Sequence, residues 1–251
     1  MRIALAGGTS PLAEDLGREL RKRGHECLVF SRQSSSGEVY TYSVLQSCHV
    51  DLIVNLAGGH KSTSDTNAVN SLVAFSKYLV DSALALSVPL VHLSSGAVFD
   101  NEFGPYASDS SLRTTRFNSL YQESKVRVEE LHEKHRADMQ IADLRLFSFV
   151  GKTFLERGEY FLSHILDTLR RSSRATLDKG DFMRDYTGAR EIGDAIEIVV
   201  QNNFSGRANL FSEEPISKFK LISFFEMKFQ MDVAFTDSSD NVTHLYYSDK
   251  E

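Results

Sequence analysis

Strand-like and helix-like runs alternate along the first 150 residues, and this order constrains the fold more than any other feature of the chain. Parallel strands need long crossover connections, and a helix between consecutive strands supplies one. Arg2–Ala6 is a short apolar run, followed by Gly7-Gly8-Thr9-Ser10-Pro11 and then a helical pattern. There Leu12, Leu16 and Leu20 recur every four residues, while Arg18, Glu19, Arg21 and Lys22 take the other face. Ser10 suits an N-cap, Pro11 the first helical position and Gly24 a stop. Further strands are predicted over 25–31, 39–43, 51–56 and 89–93, with a long helix over 66–87. A polar loop at about 104–116 leads to a second strong helix near Asn118, where Ser119 and Gln122 have capping-box spacing. A strand over 139–150 ends at Gly151. The order predicts an α/β fold, a doubly wound parallel sheet with ligands at the carboxyl ends of its strands.

After Gly151 the alternation loosens, with helices predicted over 161–171, 191–200 and 217–227 and a strand over 207–211. No repeat, low-complexity tract or flexible linker intervenes. The expected division is a doubly wound α/β domain over 1–150 and a small α+β part over 151–251. About 186–212 is expected to return to the first domain.

With 251 residues the chain can bury a large core without disulfides or a structural metal. Its formal net charge of −6 speaks against nucleic acid as a partner. Cys27 and Cys48 fit a reduced compartment and have no metal-ligand spacing. No apolar run approaches the roughly 18 residues of a membrane span, and no cleavable-signal pattern opens the chain. A cytoplasmic protein without a membrane partner is expected.

A strand, glycine turn and helix place free backbone N–H groups and a helix dipole against a pyrophosphate. The turn has glycine only at the first fingerprint position, Gly7; Ser10 and Ala13 stand at the second and third. Alone, it is also compatible with an ordinary βα turn. At the end of the second strand an acid would hold a ribose 2′-hydroxyl, whereas arginine suits a 2′-phosphate. Ser31-Arg32 stand there, with no acid before Glu38, which favours NADP(H) over NAD(H) unless Arg32 is only a solvated cation.

Tyr121 and Lys125 are four apart on a predicted helix and share a face. An ammonium beside a phenol lowers its pKa from about 10 toward neutrality, which fits it for proton exchange at a carbonyl or alcohol oxygen. The pair alone could also be a surface contact. Upstream, Val91-His92-Leu93-Ser94-Ser95-Gly96 puts Ser95 at a carboxyl strand end, and Asn55-Leu56-Ala57-Gly58-Gly59 supplies small residues where a ribose must approach.

With these segments in this order, the chain resembles the extended short-chain dehydrogenase/reductase family of nucleotide-sugar epimerases, dehydratases and ketoreductases. Residues 7–13 resemble its glycine turn and 51–58 its D-x-V-x-N/H-L-A-G/A strand; Asn70 falls where its next helix carries asparagine. Residues 92–99 are similar to its H-x-S-S-x-x-V-Y/F segment, 121–125 to its Y-G-x-S-K motif and 144–151 to L-R-x-F-N-V-Y-G. Arg184-Asp185-Tyr186 through Asp194-Ala195-Ile196 resembles R-D-F/Y-x-H-V-x-D-x-A-x-A-I, and Glu213-Glu214-Pro215-Ile216-Ser217 resembles the start of G-E-P-x-S-x-x-E-L.

The resemblance implies roles, with 1–150 as an NADP-binding Rossmann domain and 151–251 mainly as the substrate-capping part. Tyr121 would be the general acid/base, Lys125 would hold the nicotinamide ribose and tune Tyr121, and Ser95 would polarise the reacting oxygen. Gly7, Thr9, Ser10, Pro11, Leu12, Ser31, Arg32, Leu56, Ala57 and Gly58 would line the cofactor with Tyr121 and Lys125. Gly96 and Ser148 would meet the substrate beside Ser95. Arg184 would grip the nucleotide-sugar phosphates, unless it is tied up with Asp185 or Asp194. A homodimer through the helices at 66–87 and 118–136 is implied as well. The chain departs from the pattern at Ser10, Ala13, Ser148 (usually asparagine) and Lys152 (usually proline), and it ends about where the family's last helix would begin.

The reaction expected is NADPH-dependent reduction of a keto group on a nucleotide-linked deoxysugar. Arg32, the compact C-terminal part, and Gly96-Ala97 in place of the dehydratases' Asp-Glu pair favour it. The alternatives are a 4-epimerase holding NAD, a non-catalytic NADP-binding sensor or scaffold, and a carbonyl reductase of small molecules outside sugar metabolism.

Other chemistry finds little support. The eight histidines show no pairing with acids at ligand spacing, so no metal site is expected. His132 and His135 read as a solvated helix face, as do Glu129-Glu130 and Arg170-Arg171. No G-x-S-x-G elbow surrounds Ser94 or Ser95. Phe224 and Phe225 read as core.

Overall fold

Strands that carry apolar side chains on both faces need a helix layer on each. The computed structural model describes residues 1–32, 39–58, 65–99, 106–107, 117–157, 160–171, 173–236 and 244–248. The polar loop at 104–116, Glu38 and Gly59 lie outside the described residues, apart from 106–107 of the loop. The first half runs β1 (Arg2–Ala6), α1 (Pro11–Lys22), β2 (Glu26–Ser31), β3 (Val39–Thr41), β4 (Leu52–Asn55), α2 (Thr66–Leu86), β5 (Leu90–Ser95), α3 (Leu120–Glu133) and β6 (Ile141–Leu146). It continues with β7 (Ser148–Val150), α4 (Lys152–Arg157), α5 (Phe161–Arg170), β8 (Ala175–Asp178), β9 (Phe182–Arg184), β10 (Tyr186–Gly188) and α6 (Ala189–Gln201). The last elements are β11 (Gly206–Leu210), β12 (Ile216–Ser217), α7 (Lys218–Phe229), β13 (Val233–Thr236) and β14 (His244–Tyr246).

Seven strands make one parallel sheet in the order β11-β6-β5-β4-β1-β2-β3. The winding reverses between β1 and β4, the switch point at which an open α/β sheet leaves a crevice beyond its carboxyl strand ends. On one face Leu16 and Leu20 of α1 and Ile192 and Ile196 of α6 pack with Ile3, Leu5, Leu52 and Val54. On the other, Leu79, Val80 and Ala83 of α2 pack with Ala4, Ala6, Phe30 and Ile53. The doubly wound sheet is therefore present, and α3 lies beside α2.

Several elements differ from expectation. The strand foreseen at 39–43 gives way after Thr41 to a 3₁₀ turn over Tyr42–Ser47. The run at 139–150 divides, because β7 leaves the central sheet to pair in parallel with β10. Ser119 caps α3 by accepting from Gln122 N at 3.1 Å, but the Gln122 side chain reaches back to Asn118 N at 2.7 Å, one residue earlier than a capping box requires. Beyond Gly151, β11 joins the central sheet beside β6 while Ile165, Ala175, Leu177 and Ile222 build a separate small core. Phe225 packs against that core, but Phe224 is 49% exposed because it lies on the outer side of α7, contrary to the core reading.

Glu129 also overturns its reading as a solvated residue. It is fully buried and takes both Arg145 nitrogens, Nε at 3.0 Å and NH2 at 2.7 Å, while the Ser94 hydroxyl donates to it at 2.6 Å. This fork joins α3 to β5 and β6, and its geometry satisfies the carboxylate that burial would otherwise penalise. Glu129→Ala would take from the buried Arg145 the carboxylate that balances its charge, and urea unfolding is expected to show a loss of about 3–5 kcal/mol.

Candidate active site

The turn after β1 owes its shape to Gly7, at φ +81°. A side-chain carbon there would stand 2.8 Å from Ala57 N, so the glycine keeps the turn against the end of β4. Ser10 caps α1 by accepting from Ala13 N at 3.2 Å, with Pro11 in the first turn as foreseen. Thr9 is exposed, and Leu12 is half-buried against the core below. Ser31 and the exposed Arg32 stand at the end of β2. Tyr42, which the sequence reading passed over, joins them: its phenol oxygen accepts from Gly7 N at 2.9 Å. Burial raises that phenol's pKa, with Gly7 N–H and the Arg32 charge pulling the other way. Glycine turn, Arg32 and Tyr42 therefore share one side of the switch point. The cradle fits a dinucleotide, since glycine at 7 lets the turn close on the backbone at the end of β4, the tight strand-to-helix turn that a pyrophosphate needs.

Leu56, Ala57 and Gly58 continue β4 into the crevice, with Gly58 at φ +94°. Asn55 holds this bend by accepting from Ala57 N at 3.0 Å. Lys125 of α3 reaches the same place. Its Nζ donates to Leu93 O at 3.0 Å and Ala57 O at 3.4 Å, and a carbon added at Gly58 would lie 3.5 Å from it. Lys125, Ala57 and Gly58 with Asn55, Leu72 and Ser124 line a pocket at this end of the sheet.

Ser95 ends β5, in register with Leu146 of β6. Tyr121 stands one helical turn before Lys125, whose Nζ is 6.0 Å from the phenol ring centroid. Burial raises the Tyr121 pKa, only partly offset by its hydrogen bond with Ser95. The expected descent toward neutrality is thus reversed: the ammonium is engaged by Leu93 and Ala57, and desolvation of the phenolate dominates. Lys125 itself is lowered to about 8 by burial, against the pull of Glu129 and Asp143.

A second tyrosine enters from the far end of the chain. Tyr246 of β14 places its hydroxyl 3.0 Å from Ser95 Oγ, and Arg184 of β9 lies over its ring at 5.1 Å. Arg184 also lies 5.4 Å from the Phe182 ring centroid, while the neighbouring Asp185 accepts from Ser212. Ser95, Tyr121 and Lys125 are therefore assembled, with Arg184 one residue away through Tyr246. Gly96 is buried, and a side chain there would strike the Phe147 ring at 2.5 Å. Ser148 is half-buried in β7, in register with Tyr186. Asn70 is outside this cluster, accepting from Arg127 at 2.9 Å.

Beneath Lys125 the structure overturns the histidine reading. His132 is fully buried rather than solvated, and its Nδ1 donates to Asp143 Oδ1 at 2.7 Å. His92 Nδ1 donates to the same oxygen at 2.9 Å. The three ligand-type atoms lie within 4.8 Å of one another, a spacing that would admit a cation. The surroundings argue against one: Arg136 pairs with the other Asp143 oxygen and the Lys125 ammonium faces His92, so a metal would enter beside two positive charges. A charged Asp143 in a mostly apolar strand run was the sequence signal for this cluster. Tyr246 had none, because only the fold brings it to Ser95.

Burial, with the Lys125 charge adding to it, lowers the His92 pKa from 6.5 to about 3. Asp143 is held below the carboxylate range: burial opposes this, but the two histidines outweigh it. Between pH 6.5 and 3 the unfolded chain binds a proton at His92 that the folded chain refuses. Stability is therefore expected to fall as the pH drops through this window, and more shallowly in a His92→Phe variant, as denaturant titrations at several pH values would show.

A Rossmann sheet with Ser95, Tyr121 and Lys125 gathered at its crevice is the build of an NAD(P)-dependent enzyme of the extended short-chain dehydrogenase/reductase type. The chain belongs to the NAD dependent epimerase/dehydratase family, whose model matches residues 3–210. It is 29% identical over 110 residues to the Epimerase family protein SDR39U1 of Mus musculus, a match that covers 43% of this chain and 35% of that protein. In shape it is similar to the UDP-N-acetylglucosamine 4-epimerase of Bacillus cereus, with a TM-score of 0.85 at 16% identity, over 100% of this chain and 90% of that one. It is also similar to DesIV, the dTDP-glucose 4,6-dehydratase of Streptomyces venezuelae solved with NAD and TYD bound. There the TM-score is 0.78 at 16% identity, over 99% and 88% of the two chains. No helix among the described residues is long and apolar enough to cross a membrane.

Proposed function

We propose that the chain is an NADPH-dependent reductase of a keto group on a nucleotide-linked sugar. The observation that carries this reading is the meeting of Ser95 with Tyr121 at the end of β5, with Lys125 one helical turn away beside Gly58. Gly7, Thr9, Ser10, Pro11 and Leu12 would hold the pyrophosphate at the N-terminus of α1. Ser31 and Arg32 would take the adenosine ribose, where a guanidinium suits a 2′-phosphate. Leu56, Ala57, Gly58 and Lys125 would carry the nicotinamide ribose.

A bound nicotinamide supplies the hydride. Tyr121 gives its proton to the carbonyl oxygen, and the raised pKa of its phenol suits a donor held in the protonated state. Ser95 donates a hydrogen bond to that oxygen as negative charge develops, a role open to it when Tyr246 is the donor in their 3.0 Å contact. Gly96 and Ser148 would border the sugar, and Arg184 would meet its phosphates. The same reading gives a cytoplasmic homodimer joined through α2 and α3, which light scattering on the purified protein would check.

The deciding assay follows NADPH absorbance against 4-keto sugars linked to dTDP, CDP, GDP and UDP. Net oxidation with one of them is expected. Sugar interconversion without net NADPH loss would indicate the 4-epimerase, and binding without turnover the sensor. Arg32→Ala is expected to weaken NADPH binding about tenfold or more while leaving NADH unchanged. Tyr121→Phe should bind the cofactor yet lose about 10²–10⁴ in turnover. Lys125 carries its charge below about pH 8 and loses it above, so turnover should fall as the pH rises through that value.

A further inference from the structure

The array behind Lys125 takes no part in the proton step above, yet it is a buried polar cluster directly against the site. His92 is 1% exposed, and Ser76, His132 and Asp143 are fully buried. They come from β5, α2, α3 and β6 respectively. Burying such groups is costly unless each is satisfied, and here each is. Ser76 Oγ and His132 Nε2 share a hydrogen bond of 2.8 Å; His132 and His92 both donate to Asp143 Oδ1; Arg136 occupies Oδ2; and His92 Nε2 meets Lys125 Nζ at 3.4 Å.

The chemistry of each atom sets the direction of this chain. A carboxylate oxygen only accepts, so His92 Nδ1 carries the proton and its Nε2 turns a lone pair toward the ammonium. Asp143 cannot rotate away, because both of its oxygens are engaged. Ser76 is buried, so the array ends inside the protein and offers no route for protons to solvent. What it can do is fix where Lys125 points and keep it charged.

We propose that His92, held in one tautomer by Asp143 with His132 and Ser76 behind it, is a positioning residue that keeps Lys125 an ammonium aimed at Ala57 and Gly58. The proposal rests on the reading of Lys125 as a cofactor and phenol partner. The charged and titratable groups around the pair are Tyr121, Glu129, His132 and Arg136 from the α3 side and Asp143 from β6. Burial lowers Lys125 while Glu129 and Asp143 sustain its charge. His92 is the ring between Asp143 and the lysine.

The test reads Lys125 in the cofactor-free protein by NMR titration of its ¹³C-labelled side chain. His92→Gln places an amide oxygen near the Nε2 position and keeps an acceptor for the ammonium. His92→Asn reaches only the Nδ1 position, keeping the Asp143 contact and losing the lysine. Gln is expected to leave the Lys125 midpoint close to wild type, while Asn lowers it by about one unit, since hydrogen bonding to the charged form favours it. The upper limb of the pH–turnover profile should move down with it. His92→Leu, of similar bulk and without an acceptor, should lower the midpoint as far as Asn and serves if the Asn variant does not fold. Equal shifts in the Gln and Asn variants, or an unmoved midpoint in Asn or in Leu, would overturn the proposal. If the midpoints move as expected but NADPH does not bind, the functional reading fails and the positioning role stands.

Discussion

Burial of charge along one face of α3 is the constraint on which this molecule depends. Tyr121, Lys125 and Glu129 follow at four-residue spacing, with His132 three further on, so all four turn toward the sheet. None could be left there unpaired, since a buried polar group without a partner is costly and a lone buried charge costs several kcal/mol. Each finds its partner on β5 or β6: Ser95 for Tyr121, Leu93 O and His92 for Lys125, Arg145 for Glu129 and Asp143 for His132. An apolar helix could slide along a sheet at little cost. This one has a single register, and that register places Tyr121 and Lys125 at the crevice.

The same principle explains the two sides of the site. On the cofactor side close backbone approach does the work, with Gly7 against Ala57 and Gly58 against Lys125. On the substrate side the contacts are aromatic and long in sequence, since Tyr246 and Arg184 stack together and reach Ser95 through one hydroxyl. The first side is built from neighbouring strand ends of the parallel sheet. The second depends on β14 pairing with β9 well outside that sheet.

Much of this was legible in the residues. Apolar runs punctuated by Gly7, Pro11, Gly24 and Gly151 marked strands and helices, because glycine allows backbone turns that other residues resist and proline fixes its own φ. Ser10 and Ser119 announced helix starts through their own side chains. Less was legible where a side chain's setting depends on distant partners. Glu129 and His132 look like surface residues in a sequence of Glu, Lys and His, and only Arg145 and Asp143, brought across by β6, show that they are not. Phe224 errs the other way, apolar but exposed because its small core is filled by Ile165, Leu177 and Ile222.

By itself the sequence determined the alternating architecture, the winding of the sheet and the strand ends at which Ser95, Tyr121 and Lys125 would converge. The architecture and the winding follow from periodicity and turn chemistry, which act over a few residues; the convergence of Ser95, Tyr121 and Lys125 is what the resemblance to the family implied. Only the tertiary structure decided that the Tyr121 phenol is raised rather than lowered, that Tyr246 stands at Ser95, and that two histidines and Asp143 lie beneath Lys125. The physical reason is that ionisation and hydrogen bonding answer to burial and to partners in space, and in this chain those partners lie on other strands and helices.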